Sequence, residues 1–485
     1  MPTHRSTIGA LALVAVLVIA AACVRDEGGD ENTAAPVEEG NLPDCPLESL
    51  DGAEGPVQVE LWYALGGEPQ VTLEALAAEF NGSQEQVVVE LQSQGESYQE
   101  VQRRYNAAIP SGQLPGIVFL EDTALPTLID GGTILPAEAC MEADGSDPGF
   151  LPSVEARNTV DGVLWPAFMN VSTPVLYYNV NHFRRAGLDP DDPPQTLDEV
   201  EEAAMALKEA GIEAPLALSL NAGFTEALVN GAGEDVVNND NGNRGEATES
   251  AFDNPATLEV FEWHRRMDEQ GLLEAVSATD GQIDQYLAVA TQKSSMLIET
   301  STAATTIKAF LGGEDVGQDD IDAGGAEVDL SALVPAATTF PGLEEPGQVK
   351  AGGGAFFLTN TGPPEVQAGA WEFMRFMQSI ESQVAWHLEA GFLPITEEVA
   401  ADPRVTEFWE DDLAGPMLKS GYDQLLLVDP ERPGPQIGPY TEYSDAIKIA
   451  LEAVVFAGTS PEDAIDEAHA EITDALANYQ RANPD

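Results

Sequence analysis

An α/β fold is expected from three features of the sequence. Segments of β-like pattern alternate with segments of helical spacing, and that order recurs along the chain. Hydrophobic residues make up 43% of 485, enough core for two or three units of roughly 150 residues. Strand–helix repetition implies a mostly parallel sheet covered by helices, with ligands bound outside the carboxyl ends of the strands.

The first residues carry an address. His4 and Arg5 precede an apolar run from Ile8 to Ala22, with no acid before Asp26. A short positive start, an apolar stretch and small residues at its end make a secretory signal, too short for a membrane span. The run ends Ile19-Ala20-Ala21-Ala22-Cys23, which resembles a bacterial lipobox in which Cys23 is lipidated and becomes the new N-terminus. Ala20 stands where such motifs more often carry Leu; the alternative is an ordinary signal peptide with an incidental cysteine. Residues 23–54, rich in Asp, Glu, Gly, Pro and Asn, read as a solvated acidic tether. With Cys23 assigned, Cys45 and Cys140 remain. In an exported chain an even remainder suggests a disulfide, the alternative being two reduced, buried thiols.

Val57-Gln58-Val59-Glu60-Leu61 alternates with period two, and Leu73, Leu76, Ala77 and Phe80 then recur at helical spacing. Val87–Leu91 reads as a strand, Val101, Tyr105, Ala108 and Ile109 as a helical stripe, and Ile117–Leu120 as a buried strand. A second α/β region opens near Ser172. Thr196 and Glu199 form a capping-box pattern ahead of Leu197, Val200, Ala204 and Leu207, and Gly211 stops that helix. Residues 231–254 read as a long loop. Ser295–Ile298 and Gly352–Leu358 are strands. The last third is helical: Val366, Ala370, Phe373 and Met377 share one face, and Ser460-Pro461 caps the final helix.

Acidic residues number 84 against 20 basic ones, a formal charge of −64. That balance excludes nucleic acid as a partner and docking on anionic lipid through basic patches. A solvated acidic surface, as in proteins working at high ionic strength, accounts for it. No phosphate loop, GxGxxG, HExxH or GxSxG motif is present, and the five histidines lack metal-ligand spacing. Neither catalysis nor a cofactor or metal is expected.

Several blocks carry a resemblance. They are Tyr98, the run Asn170–Asn179, Phe183–Pro190, Pro193–Thr196, Gly352–Ala355 and Gly391–Thr396. In order and spacing they resemble family 1 extracellular solute-binding proteins of ABC importers, in the branch serving glycerol 3-phosphate and glycerophosphodiesters. The resemblance implies a two-lobed periplasmic-binding-protein-like fold of type II, its ligand cleft between lobes joined by hinge strands and shut by closure. Lobe 1 would hold 55–171 and 302–353, and lobe 2 would hold 172–301 and 354–485. A monomer is expected, anchored to the outer face of the cytoplasmic membrane by its lipid alone. Its partners would be permease subunits with a separate ATPase.

The resemblance also implies site residues. Tyr98 matches a ligand-contacting tyrosine. Asp122 matches an acid that accepts hydrogen bonds from ligand hydroxyls, with Glu121 as the alternate. Ser172, Thr300 (alternate Ser301) and Gly354 lie at the three proposed crossings between lobes. Phe392 sits where relatives carry Tyr, and Leu197 where some carry a stacking Trp, a face that Phe224 could supply instead. Relatives that grip phosphate use an arginine in the C-terminal segment. Here only Arg432 is near, so a neutral sugar or polyol, or a zwitterionic glycerophosphodiester, competes with glycerol 3-phosphate. An exported lipoprotein hydrolase and a structural surface lipoprotein are the alternative functions.

Overall fold

The computed structural model describes residues 37, 40–95, 97–278, 283–312, 333–347 and 349–483. The export signal, Cys23 and half of the expected 23–54 tether lie outside them; the described part is not all tether, since Leu47–Gly52 forms a short helix with Leu50 buried. Within 37–485 the chain builds one sheet, leaves it for a second, and crosses back.

Strand β1 (Val57–Tyr63) buries Val57, Val59, Leu61 and Tyr63 and exposes Gln58 and Glu60, as its alternation requires. Helix α1 (Gly67–Ser83) lays Leu73, Leu76, Ala77 and Phe80 against the core. β2 (Val87–Ser93) pairs with β1 in parallel. Helix α2 (Tyr98–Ala108) begins at Ser97, whose hydroxyl accepts from the Glu100 N–H, and buries Val101 and Tyr105. β3 (Ile117–Glu121) is apolar and buried until its last residue, as a central strand should be. Short β4 (Ile134–Leu135), helix α3 (Pro152–Arg157) and β5 (Phe168–Ser172) complete the first pass. Cys45 and Cys140 are bonded to each other, their Cα atoms 5.0 Å apart, which ties the start of the folded region to this lobe.

One residue, Thr173, separates the sheets. It is buried, its N–H donating to Ser301 Oγ at 3.3 Å and its hydroxyl to the Gly421 carbonyl at 3.1 Å. Beyond it β6 (Pro174–Asn179) opens the second sheet. Helix α4 (Leu197–Glu209) is capped by Thr196, which accepts from the Glu199 N–H, while the Glu199 carboxylate accepts from the Gln195 N–H at 2.7 Å. β7 (Leu216–Leu220), helix α5 (Ala222–Gly231), helix α6 (Pro255–Glu269), β8 (Leu273–Ser277), β9 (Met296–Thr300) and β10 (Pro335–Thr339) follow. The order across this sheet is β8-β7-β9-β6-β10.

β11 (Gly352–Thr359) returns to the first sheet, antiparallel to β3, β4 and β5. Helix α7 (Pro364–Met377) buries Ala370, Phe373 and Met377 there, and α8 (Ile380–Ala390) follows. Then α9 (Gly415–Leu425), α10 (Tyr440–Ala457) and α11 (Pro461–Ala482) close the chain, with α9 packed on β10 and α10 on α5 and α6.

Two expectations need correction. The sheets are mixed, not mostly parallel. Each strand that enters or leaves a lobe at a crossing (β5, β6, β10 and β11) pairs antiparallel with its neighbour. The expected lobe boundaries also move. β10 pairs with β6 in the second sheet, so 335–339 does not join lobe 1, and β11 with α7 belongs to lobe 1, not lobe 2.

Candidate functional site

The carboxyl ends of β3, β7 and β9 face one another across the gap between the sheets. Two adjoining cavities fill that gap, of about 480 and 900 Å3, sharing Glu121, Tyr440, Asp445 and Lys448 among their walls. The first lobe contributes Glu121 and Asp122 from the end of β3, and the crossings contribute Ser172, Lys350, Gly352 and Gly353. From the second lobe come Ser219, Asn221–Phe224 at the start of α5, Glu299, Thr300 and Tyr440. Strand ends and helix starts from both lobes thus meet at one cleft, the place a small solute occupies in such folds.

Buried ion pairs dominate its electrostatics. Asp122 accepts from Arg157 Nε at 3.1 Å and from Nη2 at 3.2 Å, a two-pronged pair between side chains that are almost fully buried. Arg157 Nη1 donates to the Pro435 carbonyl at 2.8 Å, and the Arg157 carbonyl accepts from Gln436 Nε2 at 2.9 Å. Asp122 is therefore held rigidly, and much of its charge is answered from within the protein. The Lys350 ammonium lies 2.6 Å from Glu226 Oε1, 5.2 Å from the Tyr440 ring centroid and 3.4 Å from the Tyr440 hydroxyl. The Tyr440 hydroxyl donates to Glu226 Oε2 at 3.2 Å, closing the triad. Lys448 donates to the Ala278 carbonyl at 3.2 Å.

Two carboxylates differ. Burial, reinforced by neighbouring Asp122, pushes the Glu121 carboxyl up to about 6. Burial likewise raises Glu299, against hydrogen bonds from the Thr300 N–H at 2.9 Å and Gln285 Nε2 at 3.2 Å. The Tyr98 phenol is pushed up by burial and accepts from Asn170 Nδ2 at 3.3 Å.

The expected residues divide. Glu121, Asp122, Ser172, Thr300 and Phe224 line the smaller cavity, and Tyr98 lines the larger one beside Glu121. Four others lie elsewhere. Ser301 is fully buried and serves the crossing as the acceptor of the Thr173 N–H. Gly354 sits within β11, where a Cβ would strike the Tyr98 hydroxyl and Phe119; its small size serves packing. Phe392 stacks on Trp386, centroids 5.7 Å apart. Arg432 is turned away from the cleft, its guanidinium spread over the Asn230 and Glu234 carbonyls and the Asn230 and Asp235 side chains. Leu197 is buried in the second lobe's core. Sequence reasoning missed Arg157, Glu226, Glu299, Lys350, Tyr440 and Lys448.

Residues 75–414, which span both lobes, match the family described as bacterial extracellular solute-binding protein. The chain belongs to that family. It is 23% identical over 447 residues to the sn-glycerol-3-phosphate-binding periplasmic protein UgpB of Escherichia coli K12, covering 90% of this chain and 96% of that one. Its fold matches the sugar-binding protein MalE of Xanthomonas citri at TM-score 0.70 and 20% identity, covering 88% and 99% of the two chains. UgpB of Mycobacterium tuberculosis, solved with glycerophosphocholine, matches at TM-score 0.67 and 18% identity over 88% and 99%. The protein is thus a two-lobed solute-binding protein, and the family consists of binding proteins, not enzymes.

Proposed function

We propose that this chain captures a small polar, carbohydrate-like solute outside the cell and delivers it to the permease of an ABC importer driven by a separate ATPase. The solute class is a sugar, a polyol or a glycerol-phosphate derivative. The supporting observation is the cleft itself, where polar side chains from the strand ends of both lobes converge on one solute-sized space. The relatives' ligands, glycerol 3-phosphate and glycerophosphocholine, belong to the same range of sizes and polarity.

A solute bound only by the folded, closed form stabilises it by about 2.7 kcal/mol at a hundredfold excess over Kd. Among sugars, polyols and glycerophosphodiesters, at least one compound is expected to raise the melting temperature clearly. X-ray scattering should show compaction with that same compound. Flat melting curves across all three classes would sink the reading.

Delivery to a permease suits a protein held at the membrane. Cys23 at the end of the apolar run supports a lipid anchor, followed by an acidic tether. Cys23→Ser should release the exported protein from the membrane fraction; unchanged retention would refute the anchor.

A further inference from the structure

The cleft's charges fall into two groups. Asp122 is answered by Arg157 and Glu226 by Lys350, each within the fold. At the rim, Lys448 donates to the Ala278 carbonyl, and exposed Asp445 lines the same wall. Among the buried acids of the smaller cavity, Glu121 and Glu299 remain. Glu121 ends β3 of the first lobe and Glu299 lies in β9 of the second, and both line the smaller cavity. Among the described residues neither carboxylate forms an ion pair with a cation. The partners of Glu299 are neutral donors, a backbone N–H and the side chains of Gln285 and Tyr286. Lys350 is the cation acting most strongly on Glu121, and its ammonium is already committed to Glu226.

On the lobe closure that the importer reading expects, these two carboxylates enter a drier, narrower space, where like charges from opposite walls oppose each other and added donors are favourable. A solute bearing hydroxyl groups supplies donors to both walls, and a quaternary ammonium group, which has no N–H to donate, supplies a countercharge instead. A phosphate monoester supplies acceptors and two more negative charges. We infer that Glu121 and Glu299 select a donor-rich solute without net negative charge, and that the cleft discriminates against phosphate monoesters such as glycerol 3-phosphate. This rests on the importer reading and narrows its solute class. Phe224, on the same cavity wall, offers an apolar face to a sugar ring or a quaternary ammonium group.

The test is calorimetric titration of the full chain with maltose (hydroxyls only), glycerophosphocholine (hydroxyls, a phosphodiester anion and a quaternary ammonium, net neutral) and glycerol 3-phosphate (a dianion). Wild type, Glu121→Gln and Glu299→Gln are compared. Wild type should bind maltose or glycerophosphocholine at least about tenfold more tightly than glycerol 3-phosphate, since a charge-assisted hydrogen bond is worth roughly that factor. Binding of maltose reports hydroxyl recognition, and binding of glycerophosphocholine without maltose reports recognition that needs its charged headgroup. Each Gln variant should weaken that favoured probe about ten- to hundredfold and strengthen glycerol 3-phosphate, narrowing the discrimination. Because Glu121→Gln keeps size and removes a buried charge, its unliganded melting should stay the same or rise, whereas Glu299→Gln turns an amide N–H2 toward existing donors and should melt slightly lower. Tightest binding of glycerol 3-phosphate by wild type, or unchanged discrimination in both variants, overturns the inference while leaving the importer reading intact. Silence of all three probes with wild type overturns the solute class on which both rest.

Discussion

Replacing Arg157 with methionine is expected to lower the melting temperature by roughly 3–5 °C, because removing one partner of a buried ion pair commonly costs about 3–5 kcal/mol. Asp122 would stay inside the fold, 6% exposed, beside Glu121 and without the guanidinium that now meets both of its oxygens. The variant also loses the donor that holds the Pro435 carbonyl, so the connector ahead of α10 loosens with it. Electrostatics and packing can be told apart. Pairing Arg157→Met with Asp122→Asn removes the stranded charge and should recover more than half of the loss, whereas a purely steric defect would persist in the double variant. Asp122→Ala alone should likewise melt low, since it strands the guanidinium. Denaturation followed by circular dichroism decides it. A single Arg157→Met variant melting within about two degrees of wild type would show that the pair carries little of the fold's stability.

That pair also marks where the sequence stops being legible. Local patterns suffice wherever one strand or helix meets the core: the alternation of Val57, Val59 and Leu61 and the stripe of Leu73, Leu76 and Phe80 are written in neighbouring residues. Pairing direction is not written there, because a period of two is the same in parallel and antiparallel strands. The antiparallel returns of β6 and β11 therefore escaped, and the lobe boundaries slipped with them. Asp122, Glu121, Ser172, Thr300 and Phe224 came within view through the order of family-like blocks, and all reach one cavity. Their partners did not. Arg157 lies 35 residues from Asp122, and Tyr440 lies 214 from Glu226. Only the fold brings such charges together, and among 84 acids no spacing singles out two. Arg432 misled for the same reason: its nearness to the expected phosphate-binding segment concealed its ties to Asn230 and Asp235.

Cysteine counting was more informative, and it leads to the second large effect. Cys45 lies just ahead of the short helix Leu47–Gly52, and Cys140 is fully buried in the helix Ala137–Asp144, 95 residues away. Closing a loop of that length restricts the unfolded chain by nearly 5 kcal/mol in the chain-entropy model, and measured bridges deliver about 2–4 kcal/mol. Cys45→Ser should therefore lower the melting temperature by roughly 2–4 °C. A strong reductant should lower the wild type by a similar amount and leave the Cys45→Ser variant where it is. The damage should stay near the N-terminal edge of the first lobe, because Cys45 joins the core there and the cleft residues lie on other segments. Amide hydrogen exchange should accordingly speed up in residues 45–53 and 137–144 before it changes in β3, β9 or α5. Equal melting of wild type with and without reductant would mean that the bridge contributes nothing. Faster exchange at β9 first would mean that it acts on the cleft and not on the lobe's edge.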